Sequence, residues 1–184
     1  FITGKRYFAH NGRDPGARDP AVLYWFRTTR QNDGQVELIP YLIDGNSGVG
    51  CQVSTGDING DALADLAVSA PTYDGGESNE GRVQVWHGTL TGFASAAAWS
   101  MESDQAGAEF GTGLAPAGDV NGDGYWDLIV GTPKYDDGEF DEGLVSVYNG
   151  SASGLSETPF FEGTVDQHDA WLGFAVAGSD VNGD

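Results

Sequence analysis

The sequence has few basic residues, and this shortage limits its partners. Among 184 residues, 8 Lys and Arg stand against 28 Asp and Glu, which gives a formal net charge of −20. Nucleic-acid binding is disfavoured because its affinity comes from Lys and Arg side chains that neutralise phosphates. Binding to an anionic membrane surface is disfavoured for the same reason. We therefore expect divalent cations, and no nucleic acid, as partners of this chain.

Cysteine and long apolar runs are scarce as well. The single cysteine, Cys51, excludes an internal disulfide and a cysteine-based zinc site. No apolar run approaches the ~20 residues that a bilayer-spanning helix needs. We therefore expect no membrane insertion, and we expect no signal peptide within this segment. A hydrophobic content of 39%, with 5 Trp, 7 Tyr and 9 Phe, nevertheless suffices for a folded core.

An internal repeat organises the chain. Residues 56–92 align without a gap with residues 118–154, and 19 of the 37 positions are identical. The aspartates that lead the two copies, Asp57 and Asp119, are 62 residues apart, and a third, Asp180, follows 61 residues later. Similarity at a fixed period of this length is the signature of a repeat architecture.

Segments with strand character dominate each copy. A short apolar run follows each acidic loop, and an alternating segment comes next, Arg82–Trp86 in the first copy and Leu144–Tyr148 in the second. Alternation with β-branched and aromatic residues predicts strands. Residues 21–26 and 36–39 give similar signals near the start. With about four short strands per unit and no convincing helix, the sequence predicts an all-β fold of β-propeller blades, each of about four antiparallel strands.

The period divides the chain into about three repeats of one propeller segment. Residues 1–56 form a variant first repeat that lacks its leading acidic loop. Residues 57–118 and 119–179 form two full repeats, and residues 180–184 begin a further one. A propeller usually needs ~4–8 blades. We therefore expect either that a longer parent chain supplies the remaining blades or that copies of this chain assemble as a homo-oligomer.

The chemistry of the sequence lies in two acidic loops of nine residues. Oxygen-bearing side chains recur at positions 1, 3, 5 and 9, and the carbonyl of position 7 adds a backbone oxygen. A hard cation such as Ca²⁺ takes six to eight oxygen ligands, and carboxylates this close would repel one another without a counter-ion. The predicted calcium ligands are Asp57, Asn59, Asp61, Leu63 and Asp65 in the first loop, and Asp119, Asn121, Asp123, Tyr125 and Asp127 in the second.

Other structures share parts of this loop pattern. Asp, Asn and Gly also form purely polar turns, although two loops in register favour a cation. Mg²⁺ suits the loops less well, because it keeps more of its water and demands stricter octahedral geometry. An EF-hand loop continues into a helix and closes with Glu at position 12, where this chain has Val68 and Val130. Because Ala62 stands where the second loop has Gly124, we expect weaker calcium binding in the first loop.

At the level of the whole unit, the sequence resembles FG-GAP repeats. These are the blades of integrin-alpha-type propellers and their bacterial relatives, and they are also grouped with VCBS-type repeats. The matching elements are Phe110-Gly111, the loop that begins at Asp119, Gly131-Thr132-Pro133 and Glu142-Gly143. The resemblance is specific from about Cys51 onward, and the first residues more loosely resemble a variant repeat of secreted bacterial proteins. The chain departs from the pattern at Val49 and Leu172, which replace Phe, and at Ala62.

The resemblance implies calcium ligands at the positions named above, and a third site begun by Asp180, Asn182 and Asp184. It also implies a non-catalytic, calcium-binding propeller segment, secreted or at the cell surface, that mediates adhesion or binds a protein or carbohydrate ligand. Two alternatives remain open: the substrate-binding or scaffold portion of a secreted hydrolase or lyase, and a structural component of a surface layer or filament. We expect no catalytic residues, because the sequence shows no nucleophile–base pair.

Overall fold

A computed structural model describes residues 2–5, 22–45 and 52–179. The chain divides into two compact units, Phe1–Gly50 and Cys51–Asp184. The third acidic loop, which begins at Asp180, lies outside the described residues. In the described ranges the regular secondary structure consists of strands, without an α-helix. A helix that could cross a membrane is therefore absent from these ranges.

The first unit contains a three-stranded antiparallel sheet. Its strands are β1 (Ile2–Lys5), β2 (Val22–Arg30) and β3 (Val36–Asp44), in the order β1-β2-β3. A tight turn joins β2 to β3, where Gly34 adopts a φ of 84°. Trp25 and Tyr41 pair in register across β2 and β3, and their rings stack with centroids 4.5 Å apart. The strands predicted over residues 21–26 and 36–39 are therefore present, and both are longer than the sequence indicated.

The second unit contains two four-stranded antiparallel sheets. The first consists of β4 (Val53–Gly56), β5 (Asp65–Ala70), β6 (Arg82–Trp86) and β9 (Trp99–Glu102), in that order. A small hairpin of β7 (Gly88–Thr89) and β8 (Gly92–Phe93) lies in the connection between β6 and β9. The second sheet consists of β10 (Gly113–Gly118), β11 (Asp127–Thr132), β12 (Leu144–Tyr148) and β13 (Phe161–Thr164). The predicted all-β fold with about four antiparallel strands per blade is confirmed.

Each acidic loop connects the first strand of its sheet to the second. The first loop joins β4 to β5, and the second joins β10 to β11. A repeat counted from its leading aspartate therefore contains three strands of one sheet and the first strand of the next. The position of the loops also explains why β5 and β11 begin at the ninth loop residue, Asp65 and Asp127.

The two sheets of the second unit share one hydrophobic core. Every residue of β5 is buried, including the polar side chains of Asp65 and Ser69. The rings of Trp99 and Tyr148 meet edge to face with centroids 5.1 Å apart. The indole N–H of Trp99 also donates a hydrogen bond to the carbonyl of Ser156 at 3.0 Å. The buried core cluster contains Ile58, Ala67, Val83, Val85, Trp99, Phe110, Leu114, Leu128, Val130, Tyr148 and Leu155.

Close backbone contact between successive sheets requires glycine at a repeated position. Gly81 has a φ of 84°, and a side chain there would collide with the backbone of Phe110. Gly143, the equivalent residue of the next repeat, has a φ of 85° and lies equally close to the backbone of Leu172. Glycine tolerates both the left-handed conformation and the close approach. The repeated Glu-Gly pair thus marks where one sheet contacts the segment that leads to the next.

Candidate metal centre

The first acidic loop folds its side chains back over its own backbone. The two carboxylate oxygens of Asp57 accept hydrogen bonds from the N–H groups of Asp61 at 3.0 Å and Ala62 at 2.9 Å. Asn59 Oδ1 accepts from the Asp61 N–H at 3.2 Å, and Asp61 Oδ1 accepts from the Leu63 N–H at 2.8 Å. The loop therefore brings together the oxygen side chains of positions 1, 3 and 5.

The second loop repeats this arrangement almost bond for bond. Asp119 accepts from the N–H groups of Asp123 at 3.0 Å and Gly124 at 2.7 Å. Asn121 Oδ1 accepts from the Asp123 N–H at 3.0 Å, and Asp123 Oδ1 accepts from the Tyr125 N–H at 3.0 Å. Leu63 and Tyr125, predicted as backbone ligands, thus donate their N–H groups to the aspartate at position 5 of their loops.

The aspartate at position 9 ties the first loop to the rest of its sheet. Asp65 is fully buried. Its Oδ2 accepts from the N–H groups of Ile58 at 2.9 Å and Asn59 at 3.2 Å, at the start of the loop. Its Oδ1 accepts from the Gly88 N–H at 2.8 Å, at the start of β7. The carboxylate therefore joins the loop to the first residue of β7, 23 residues further along the chain.

Asp127 makes the same connections in the second sheet. It is 1% exposed, and its Oδ2 and Oδ1 accept from the N–H groups of Val120 and Gly150, both at 2.8 Å. Sequence reasoning assigned Asp65 and Asp127 only as metal ligands and missed this bridging role. The signal available was the invariant spacing to a glycine, Gly88 or Gly150, that both copies share.

Burial works against ionisation of the two bridging aspartates. Loss of solvent raises the pKa of Asp65, although its backbone N–H donors oppose this effect. Burial also raises the pKa of Asp127, and the negative charges of Asp123 and Asp119 add to the increase. A bound cation would favour the charged carboxylates, because an opposite charge at short range lowers the pKa of an acid. The donor set of each loop, all oxygen and largely anionic, suits a hard cation such as Ca²⁺.

Position 6 is the point at which the two loops differ in backbone strain. Ala62 adopts a φ of 66° and Gly124 a φ of 90°, so both residues lie in the left-handed region. An alanine pays about 1–2 kcal/mol for this conformation, whereas glycine adopts it without a steric penalty. The first loop is therefore strained at the residue where the sequence departs from the repeat pattern.

A comparison of the sequence with models of known protein families finds the same two repeat copies. A model of the FG-GAP repeat matches residues 50–86 and 110–148. Each matched range spans an acidic loop and the first three strands of its sheet. The chain contains FG-GAP repeats. The four-stranded sheets are accordingly the blades predicted for this type of propeller.

Relatives of the FG-GAP segment occur among integrin alpha chains. The chain is 36% identical to integrin alpha-V of Gallus gallus over 115 residues, which are 60% of this chain and 11% of the relative. It is 35% identical to integrin alpha-PS2 of Drosophila melanogaster over 117 residues, or 60% of this chain and 8% of the relative. The chain is also 37% identical to integrin alpha-4 of Xenopus laevis over 113 residues, which are 61% of this chain and 10% of the relative. The chain thus spans about a tenth of the length of these curated relatives.

Proposed function

We propose that the two FG-GAP loops bind Ca²⁺ and that the segment is a non-catalytic, calcium-stabilised part of an extracellular propeller. The observation that carries this proposal is the near-identity of the two loops. In each, the side chains at positions 1 and 3 accept from the same N–H group, and the side chains at positions 3 and 5 are hydrogen-bonded to each other. A buried aspartate at position 9 starts the second strand. Asp180, Asn182 and Asp184 would begin a third site of the same kind.

Calcium would stabilise the fold through its differential affinity for the native state. An ion that binds only the folded chain adds about 2.7 kcal/mol when its free concentration is 100 times the Kd. For a chain of this size, that corresponds to a rise in Tm of about 5–10 °C. Calcium-dependent stability of this size would place the segment in a compartment where calcium is plentiful, such as the extracellular space.

The test is thermal unfolding with 2 mM calcium and with excess EGTA. The wild-type chain should melt several degrees higher with calcium, and Asp123→Asn should lose a large part of this increase. Asp137→Asn is the matched control, because it removes the same charge from an exposed position outside the nine-residue loops. Equal melting temperatures with calcium and EGTA would refute calcium binding by the wild-type loops.

We further propose a role in adhesion or in binding a protein ligand at the cell surface. The similarity to integrin alpha chains over 60% of the segment supports this role over a part of a secreted hydrolase or lyase. The decisive measurement is retention of cells on a surface coated with the chain, with calcium and with EGTA. Retention that requires calcium and is lost in Asp123→Asn supports adhesion, and equal retention on an albumin-coated surface contradicts it.

A further inference from the structure

A second group of carboxylates lies outside the FG-GAP loops. Glu80, Glu102 and Asp104 each place one carboxylate oxygen so that all three oxygens lie within 4.8 Å of one another. Glu80 comes two residues before β6, and Glu102 ends β9, where it pairs in register with Arg82. Within residues 22–45 and 52–179, no other group of three or more Asp, Glu, His or Cys residues brings its ligand atoms this close together.

Glu80 is the buried member of this cluster, and one of its oxygens lacks a hydrogen bond. The residue is fully buried. Its Oε1 accepts from the N–H groups of Gly75 at 2.5 Å and Gly76 at 2.8 Å. Its Oε2 is buried without any hydrogen-bond partner. A buried carboxylate oxygen is costly unless a donor or a cation compensates it.

The charges around Glu80 leave an excess of negative charge. Glu102 lies close to the negative charges of Glu80 and Asp104 and to the positive charge of Arg82. The guanidinium of Arg82 lies over the ring of Tyr73, 3.8 Å from its centroid. Among the described residues, the group of three carboxylates therefore has the guanidinium of Arg82 as a positive charge acting on Glu102. The local field favours a further positive charge.

The fold itself does not require this cluster, because the second sheet lacks it. Glu142 is the equivalent of Glu80, is also buried, and accepts from the N–H groups of Asp137 and Glu139. Thr164 takes the register position of Glu102, opposite Leu144 on β12. The glutamate that caps the preceding turn is therefore structural in both repeats. The additional carboxylate of Glu102 occurs in one sheet alone.

We propose that Glu80, Glu102 and Asp104 form a binding site for a hard divalent cation such as Ca²⁺, separate from the FG-GAP loops. Oxygens that surround Ca²⁺ at roughly 2.3–2.6 Å lie at most about 5 Å apart, which agrees with the spacing of the three carboxylates. A buried, an intermediate and an exposed ligand leave one side of the ion open to water. Glu80 would contribute a buried carboxylate, one oxygen of which has no hydrogen-bond partner.

The test is calcium binding measured by equilibrium dialysis on the full chain. Glu102→Gln should bind one calcium ion fewer per chain, or bind that ion at least about tenfold more weakly, the lower bound for groups that merely support a ligand. Glu162→Gln is the matched control, because it removes the same charge from β13, the equivalent strand of the other sheet. Asp104→Asn is a second test at an exposed position, where the substitution leaves the core unchanged.

A background without functional loops separates this site from the proposed loop sites. In the triple variant Asp61→Asn, Asp123→Asn and Asp180→Asn, one calcium ion per chain should remain, and adding Glu102→Gln should remove it. Unchanged stoichiometry and affinity in both Glu102→Gln and Asp104→Asn would overturn the proposal. If those variants lose an ion while the triple variant loses none, the cluster site stands and the loop proposal fails.

Discussion

Asp65 and Gly88 are joined by a hydrogen bond of 2.8 Å, although 23 residues separate them in sequence. The buried carboxylate accepts from the glycine N–H and, through its other oxygen, from the start of the acidic loop. Asp127 and Gly150 form the same bond at the same distance in the next repeat. The aspartate at position 9 thus has a structural role that does not depend on a metal ion.

We expect Asp65→Asn to destabilise the chain even when calcium is absent. Both oxygens of Asp65 accept from backbone N–H groups, so the NH₂ group of the asparagine would meet a donor in place of an acceptor and one hydrogen bond would be lost. The loss of a hydrogen bond to a buried charged group costs about 1.5–3 kcal/mol. Urea unfolding in excess EGTA measures the effect. Asp61→Asn, at an exposed position of the same loop, should change stability by less than about 1 kcal/mol under these conditions. Similar losses in both variants would contradict the bridging role of Asp65.

The strain at position 6 gives a reciprocal pair of variants. Ala62→Gly should relieve the left-handed backbone at a φ of 66° and stabilise the chain by about 1 kcal/mol. It should also strengthen calcium binding in the first loop. Gly124→Ala should destabilise the chain and weaken calcium binding in the second loop. Because a side chain at this position meets no other atom within 4 Å, the substitution tests backbone strain alone. Calorimetric titration that finds no change in Ala62→Gly would show that strain does not limit the first loop.

Gly81→Ala should be among the most damaging substitutions in the first sheet. The added methyl group would collide with the backbone of Phe110, at a φ that alanine adopts only with strain. Overpacking and left-handed strain together predict a loss of about 3 kcal/mol. Gly76→Ala is the matched control, because open space surrounds that position, and it should change stability by less than about 0.5 kcal/mol. Thermal unfolding that ranks the two variants equally would contradict the close approach.

The contact between the two sheets can be tested at Trp99. Trp99→Phe removes the indole N–H that donates to the carbonyl of Ser156, and it leaves a smaller ring against Tyr148. We expect a loss of about 2 kcal/mol from the lost hydrogen bond and reduced packing. Trp126→Phe, at a side chain 42% exposed, should cost less. Urea unfolding followed by near-UV circular dichroism measures both variants.

Much of this architecture could be predicted from the sequence because the repeat is local. The acidic loops, the strands that follow them and their turn residues lie within short segments whose spacing is the same in both copies. In each loop the side chains at positions 1 and 3 accept from the same backbone N–H, that of Asp61 or Asp123, and their role as metal ligands stays a prediction. Binding of calcium itself stays a prediction. Asp180, Asn182 and Asp184 lie outside the described residues, so the third loop is also a prediction.

Relationships between distant strands could not be read from the pattern. The cluster around Glu80 depends on the register of β6 with β9, which places Glu102 opposite Arg82. No local periodicity reveals which of many surface acids meets a buried one. The glutamate shared by both repeats, Glu80 and Glu142, was visible as an identity, but its burial and its turn-capping bonds were not.

The position of the loops inside the sheets has a consequence for the evolutionary history of such arrays. A unit that runs from one leading aspartate to the next, such as 57–118, ends with β10, the first strand of the following sheet. If a whole unit is duplicated or deleted in the gene, every internal sheet still receives four strands, because each unit leaves one strand for its successor. Recombination between copies can therefore lengthen or shorten the array without creating a broken sheet at the junction.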